Sequence, residues 1–314
     1  MRKRTGLNIA VFMLSLLVAA GCAFMLLDVW GWLQEENIAA SELVVFPGVE
    51  EPPMTLPAEP VSDEPFNVLI LGLDHGLDRP VQGYERSDVI IIAHIDEAAG
   101  KAVLLSLPRD SYVSIPGYRK SKINEAYQAG GVDLAVHTVE QVTGMRIRNY
   151  VVVDFDEFMW LVDLFGGVPV TMEEPLNDPK VGYIGAGGQQ LDGEHALMLA
   201  RSRDYPQGDL ERVRQQQRII IQALYKGKEM ASYPGAAWFL SIALDPLETN
   251  LTQDEVIALA RGFAELPVVD VQGGVAPGKP GMVGAASVYI LDETALRELV
   301  RNIEQLCFVP EEFR

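Results

Sequence analysis

Cysteine is all but missing. The 314 residues hold two, Cys22 and Cys307. Neither belongs to a CxxC pair or to a metal-type spacing, which leaves out a disulfide framework and a thiolate zinc site. Cys22 lies inside an uncharged apolar run, so a bridge to Cys307 is not expected. Histidine is also scarce. His75, His94, His137 and His195 are scattered and form no HExxH, so each reads as structural or surface. Basic residues are outnumbered, 25 Lys and Arg against 44 Asp and Glu, for a net charge of −19. Such a body opposes general nucleic-acid binding, which needs a cationic footprint to displace counterions. No GxxxxGK[ST] occurs, which removes a P-loop nucleotide site. There is no internal repeat.

What is present starts with a membrane signal. Residues 1–4 read MRKR, and residues 5–27 then carry no charge. Twenty-three residues suffice to cross a hydrocarbon core of about 30 Å as a helix. Basic residues before the run, with Asp28, Glu35 and Glu36 after it, predict a cytoplasmic tail at 1–4 and everything beyond 27 outside. Two other readings stand beside this anchor. One is a cleaved signal peptide ending near Ala19-Ala20-Gly21. The other is a lipoprotein-like VAAGC site ending at Cys22. Apolar residues continue through Leu27, and Trp30 and Trp32 follow as interfacial aromatics, which favours the uncleaved anchor. All three readings place residues 40–314 outside the cytoplasm.

Residues 28–65 then form an acidic, proline-rich stalk. Between Ser41 and Pro65 there are six prolines and six acids but no Lys or Arg. Proline geometry and charge repulsion keep such a segment extended. The folded part starts at Phe66. "NVLILGL" (67–73), "DVIIIAHI" (88–95), "AVLLSL" (102–107) and "YVVVDF" (150–155) are runs of branched aliphatics that read as buried strands. Helical patterns fall at 124–129, 132–143, 156–165, 210–226, 252–265 and 292–306. Gly130-Gly131 and Gly166-Gly167 act as helix stops, and Asp209 as an N-cap. Alternation of strands and helices predicts an αβα sandwich around a mixed or mostly parallel sheet. Residues 66–228 form its core, and 229–314 complete the same domain.

Charges gather at strand ends. Asp74 follows the first strand, Arg86 and Asp88 flank the start of the second, and Arg109-Asp110 follow the third. Ligands of open α/β sheets sit outside strand ends. These residues share one edge if the second strand runs antiparallel to its neighbours. A second cluster, "ARSRDYPQGDLERVRQQQR" (200–218), holds five arginines and no lysine. Arginine without lysine suits paired phosphate oxygens, which its fork matches. Arg212 and Gln216 share a helix face, and Val213 and Ile220 are expected on the packing face. Asp74 and Asp88 together suit a Mg²⁺ that keeps several waters and leans on a phosphate. Such a set is equipped for phosphoryl transfer by positioning and charge stabilisation.

Seven stretches in order carry a family resemblance: "RSD" (86–88), "SLPRD" (106–110), "KINEAY" (122–127) with Gly130-Gly131, "VDLFGGV" (162–168), "LDGEHAL" (191–197), "ARSR" (200–203) and "GDLERVRQQQ" (208–217). In order and spacing they resemble the LytR-CpsA-Psr family over about residues 66–228. The resemblance implies an α/β fold with an apolar groove for a polyprenyl chain. It implies transfer of a glycopolymer from a polyprenyl-pyrophosphate carrier onto peptidoglycan, forming a phosphodiester outside the cell. Matched by motif, Asp74 and Asp88 would be the Mg²⁺ ligands. Arg86, Arg109, Arg201, Arg203, Arg212 and Gln216 would grip the pyrophosphate, with Lys122 beside them. Lys122, Asn124, Asp110 and Asp209 occupy further motif positions. Asp110 and Asp88 are the candidate bases. The family usually has arginine before the paired glutamines, where Gln215 stands here, with Arg214 next to it. A hydrolase using water as acceptor and a non-catalytic lipid-binding or regulatory module remain alternatives.

Overall fold

Branched aliphatics favour a pleated strand flanked on both faces, and the four longest such runs form the centre of one sheet. The computed structural model describes residues 64–74, 85–96, 99–179, 182–202, 209–231, 243–256, 270–306 and 308–313. The uncharged run 5–27, the stalk up to residue 63, both cysteines, His75 and Arg203 lie outside the described residues. The first part of the domain is β1 (Phe66–Leu73), β2 (Ser87–Asp96), β3 (Lys101–Ser106), β4 (Tyr112–Ser114), β5 (Lys120–Lys122) and α1 (Glu125–Thr143). There follow β6 (Asn149–Val153), α2 (Phe155–Leu164), β7 (Val168–Met172), β8 (Leu176–Asp178), β9 (Gly182–Ile184), β10 (Gly187–Leu191) and α3 (Gly193–Arg201). The last part is α4 (Asp209–Ala231), β11 (Glu248–Thr249), β12 (Asp270–Val275), β13 (Gly278–Val283), β14 (Ala286–Leu291) and α5 (Glu293–Leu306).

The main sheet has the order β11-β6-β1-β2-β3-β12. β1 runs parallel to β6 and β3 parallel to β12, while β2 is antiparallel to both β1 and β3. The sheet is therefore mixed. The chain after residue 228 supplies both of its edge strands, β11 and β12. Period-2 alternation splits the side chains between two faces. Leu69, Leu71, Ile90, Ile92, Val103 and Leu105 pack with residues of α1 and α5. Val68, Ile91, Ala93 and Leu104 face the other way, towards Ile220 and Ile221 of α4. A satellite cluster gathers α2, α3 and the short strands β7 to β10 around Val162, Val168, Leu191 and Leu199.

Local chemistry explains the elements that carry the site. Asp154 ends β6 and opens α2 through a capping box with Glu157, so the fourth aliphatic run stops as a strand at Val153 rather than at residue 155. Gly130 and Gly131 leave helical geometry inside α1 and kink it. Gly193 opens α3 because nothing larger fits: a Cβ there would lie 2.3 Å from the Met159 carbonyl oxygen. Its N–H donates to Asp163 Oδ1 at 2.7 Å, and Asp192 caps the helix by accepting from the His195 N–H. "VDLFGGV" and "LDGEHAL" are thus two halves of one helix–helix contact. α4 is pinned to the sheet by Gln217. Its side-chain amide reaches the Leu104 and Gly274 carbonyls and Ser106 Oγ, at 3.1, 2.6 and 2.8 Å. Gly273 leaves room for it, since a Cβ there would meet Gln217 Oε1 at 2.7 Å.

Candidate functional site

The antiparallel placement of β2 brings the ends of β1 and β3 and the start of β2 to one edge of the sheet. The Asp74 N–H donates to the Arg86 carbonyl across that edge at 3.1 Å. The register breaks there: Gly72 pairs with Val89 and Leu73 with Ser87, so Asp88 has no partner opposite it. Such a bulge re-aims a side chain. Asp88 and Val89, successive residues that an unbroken strand would send to opposite faces, both line the same cavity.

That cavity measures about 1040 Å³ and lies between the sheet and the helices α2, α3 and α4. Val68, Ile70, Ala93, Ile95, Leu104 and Val151 form its floor. Phe158, Leu161 and Val162 of α2, Ile219, Ile220, Ala223 and Leu224 of α4, and Leu244, Leu251 and Val256 form its walls. Arg212 and Lys226 both line it. Fourteen residues separate them along α4, so it extends on the order of 20 Å at about 1.5 Å per residue. Ile220, expected on a packing face away from the arginine, lines the cavity instead, because it stands one turn beyond Gln216.

The charged end is built from several elements. Asp74 and Asp88 line the cavity at the sheet edge, with Arg201 from α3 and Arg212 and Gln216 from α4. Arg201 stacks its guanidinium over Phe155, 4.6 Å from the ring centroid. Phe155 follows β6, whose end lies at the same edge as Asp74. Gln216 Nε2 donates to the Ala200 carbonyl at 3.0 Å, fixing α4 against the end of α3. Arg212 is 4% exposed. Arg109 Nη1 donates to Asp88 Oδ2, and Asn124 Nδ2 stands 3.5 Å from Asp88 Oδ1. Arg109 Nε and Asn124 Oδ1 are buried and find no hydrogen-bond partner among the described residues.

Other candidates take different places. Lys122 Nζ and Asp110 Oδ1 pair at 2.7 Å, and neither residue lines the cavity. Arg86 is exposed, with Nε donating to Gln128 Oε1 at 3.2 Å. Arg203 lies outside the described residues, and Asp209 is the first residue of α4. The arginine cluster divides. Arg201 and Arg212 reach the cavity, whereas Arg214 and Arg218 approach Glu211 at 3.5 and 3.6 Å, the same carboxylate that accepts from Gln215 Nε2 at 3.0 Å. The role of Asn124 against Asp88 and the Arg201–Phe155 stack were not read from the sequence. Nor was Asp178, which lines the cavity and accepts from Ser202 Oγ at 2.8 Å. No spacing rule links residues so far apart in the chain. Among the described residues no three His, Cys, Asp or Glu side chains form a metal cluster, and no helix is long and apolar enough to cross a membrane.

The model of the LytR_cpsA_psr family matches residues 49–305. The chain belongs to this family. A polyisoprenyl-teichoic acid–peptidoglycan teichoic acid transferase TagU of Enterococcus faecalis is 37% identical over 207 residues, covering 64% of this chain and 66% of that protein. The probable cell wall biosynthesis protein LcpB of Corynebacterium glutamicum is 39% identical over 165 residues, covering 52% of this chain and 38% of that one. The matches thus span just under two thirds of the first relative and well under half of the second. Among solved structures of the family, B. subtilis TagV superposes with a TM-score of 0.69 at 28% identity, over 79% of this chain and all of that one. The family protein YwtF (TagT) with bound octaprenyl pyrophosphate lipid gives 0.61 at 25% identity, over 78% of this chain and 90% of that one. Their mixed α/β fold, with its central mixed sheet, is the fold described above.

Proposed function

We propose that this chain moves a glycopolymer from a polyprenyl-pyrophosphate carrier onto peptidoglycan, outside the cytoplasm. One observation carries the reading. A long apolar cavity ends in a set of arginines and carboxylates, which matches an amphiphile with a long hydrocarbon chain and a doubly phosphorylated head. The TagT structure holding octaprenyl pyrophosphate and the relatives named teichoic acid transferases support the same assignment.

The acceptor hydroxyl of the peptidoglycan attacks the phosphorus that bears the glycan. A new P–O bond forms and the bridging P–O bond breaks. The products are a glycan–peptidoglycan phosphodiester and polyprenyl monophosphate, and the hydroxyl proton leaves to a base or to water. Arg201 and Arg212 would hold the diphosphate at the mouth, with Arg109, Arg86 and Arg203 as further donors and Gln216 and Lys122 beside them. Arg109 contributes most if its fork meets charge that grows on the leaving phosphate, because only such contacts lower the barrier. Asp88, held by Arg109, and Asp110, held by Lys122, are the candidate bases for the proton.

The donor set fits a magnesium ion. Asp74 and Asp88 line one cavity end, and Asn124, whose Nδ2 stands 3.5 Å from Asp88 Oδ1, keeps a buried Oδ1 without a partner among the described residues. Mg²⁺ accepts one or two carboxylates and completes its shell with water and phosphate oxygens. When bound it would neutralise diphosphate charge. We assign residues 5–27 as the membrane anchor, with the tail 1–4 in the cytoplasm, the catalytic domain outside and the stalk between them. No nucleic acid takes part.

The test is product analysis. Full-length protein with a labelled polyprenyl-pyrophosphate glycan, Mg²⁺ and peptidoglycan should place label in the peptidoglycan and release polyprenyl monophosphate. Label appearing only as free glycan phosphate would make the chain a hydrolase. Lipid binding without any turnover would make it a carrier module.

A further inference from the structure

We infer that the solvent face of the β4–β5 hairpin is the track along which the acceptor glycan strand lies, its anionic peptide-stem carboxylates held by Lys120. The inference rests on the transferase reading above and names where its second substrate docks.

The hairpin sequence already sets it apart. Residues 111–124, SYVSIPGYRKSKIN, contain Arg119, Lys120 and Lys122 and no acid, in a chain of net charge −19; the flanking Glu125 and Asp110 pair with Arg119 and Lys122, which leaves Lys120 for an outside anion. Register decides which side chains face out. Tyr112 pairs with Lys122 and Ser114 with Lys120, while Val113 pairs with Ser121. Residues opposite one another share a face. Val113 and Ser121 are buried, so the outer face presents Tyr112, Ser114, Lys120 and Lys122. Lys120 Nζ stands 5.1 Å from the Tyr112 ring centroid. At the turn Tyr118 is 50% exposed, with the Arg119 guanidinium 5.2 Å from its ring. Rings offer an apolar body and a polar tip to a sugar face, and the exposed Lys120 ammonium beside Tyr112 suits a carboxylate on the polymer.

The track runs into the site. Lys122 pairs with Asp110, and Asp110 adjoins Arg109, which holds Asp88. The hairpin is fixed there by the Ile123 N–H on the Ser111 carbonyl at 2.8 Å and by the Tyr289 N–H on the Asp110 carbonyl at 2.8 Å. None of residues 112–122 lines the cavity. The hairpin therefore stands outside the lipid cavity, linked to Asp88 through Lys122, Asp110 and Arg109. Displacement at phosphorus needs attacking and leaving oxygens roughly in line, so an acceptor arriving from the side away from the lipid is geometrically required. The same requirement favours a glycan strand over a membrane surface as occupant.

The test uses full-length protein in detergent micelles, with soluble undecorated peptidoglycan strands and polyprenyl pyrophosphate as separate probes. Lys120→Glu and Tyr112→Leu should each weaken strand binding by about tenfold, the scale of a hot-spot contact. Affinity for polyprenyl pyrophosphate should stay unchanged. Arg297→Glu, a charge reversal on exposed α5, should leave strand binding alone, and strands with amidated stems should bind less well. Equal strand binding by both hairpin variants, an equal loss in Arg297→Glu, no strand binding by the wild type, or a hairpin-dependent preference for anionic vesicles over strands would each overturn the inference. Label transfer from a polyprenyl-pyrophosphate glycan to peptidoglycan by the wild type judges the transferase reading separately: transfer with equal strand binding by the hairpin variants overturns the inference alone, and hairpin-dependent strand binding without transfer overturns that reading alone.

Discussion

Arg109 at the end of β3 donates a hydrogen bond from Nη1 to Oδ2 of Asp88, the bulged residue at the start of β2. One guanidinium thus joins two strand ends and still keeps a buried Nε for another acceptor. If that acceptor is a phosphate oxygen, Arg109→Ala lowers transfer by about 10²–10³-fold, the cost of removing one preorganised donor. Arg109→Lys recovers only a small part, because a single ammonium cannot reproduce the fork. Steady-state turnover at varied donor concentration checks both.

The cavity makes a separate prediction. Ala223 on α4 lines it, so Ala223→Trp puts an indole where a prenyl chain would lie. Affinity for polyprenyl pyrophosphate should fall by at least about tenfold while folding stability is kept, since the ring fills existing space rather than a packed core. Lipid titration and a thermal melt on the same variant read the two effects.

Gly193→Ala should destabilise the domain at the contact between α2 and α3. The added methyl would sit 2.3 Å from the Met159 carbonyl oxygen, so α2 and α3 must separate, at about 1–3 kcal/mol for overpacking. For a domain of this size that is about 2–4 °C of Tm per kcal/mol. A thermal melt checks it.

Acid sensitivity should reside partly in His94. It sits directly opposite Asn67 across β1 and β2, and its Nδ1 is 2.8 Å from Asn67 Oδ1. Asn67 Nδ2 donates to the Arg146 carbonyl at 2.8 Å, which turns Oδ1 towards the ring and selects the tautomer protonated at Nδ1. Burial pushes the His94 pKa below its ordinary 6.5, against a smaller opposite effect from Asp96. Below pH 6.5 the unfolded chain therefore takes up a proton that the folded chain refuses. Stability falls as pH drops from 6.5 towards the folded pKa, by up to about 1.4 kcal/mol per pH unit. His94→Gln should flatten that slope, as measured by denaturant unfolding between pH 7 and pH 5.

The sequence made the central strands legible because their aliphatic runs have few alternatives, and it left the direction of β2 open: the strand-end charges share an edge only if β2 runs antiparallel, as it does. The short strands β4, β5, β7 to β10 and β13 were not legible. All but β13 are five residues or shorter, and they owe their pairing to tertiary neighbours. The bulge at Asp88 left no sign in "DVIIIAHI", since a one-residue slip changes no residue type. In "ARSRDYPQGDLERVRQQQR" composition announced anion binding, but only the helix phase of α4 separates Arg212, on the cavity, from Arg214 and Arg218, on Glu211. Asn124 read as a helix start. It is the N-cap of α1 yet makes no side-chain cap hydrogen bond, which leaves its amide for Asp88.

The most direct measurement follows label from a polyprenyl-pyrophosphate glycan in the presence of peptidoglycan and Mg²⁺, with wild-type protein and Asp88→Asn side by side. The account predicts phosphodiester-linked label in peptidoglycan for the wild type, its loss in Asp88→Asn and on chelation of Mg²⁺, and release of polyprenyl monophosphate in step with transfer. Equal transfer by Asp88→Asn, or label released by the wild type only as free glycan phosphate, would contradict it.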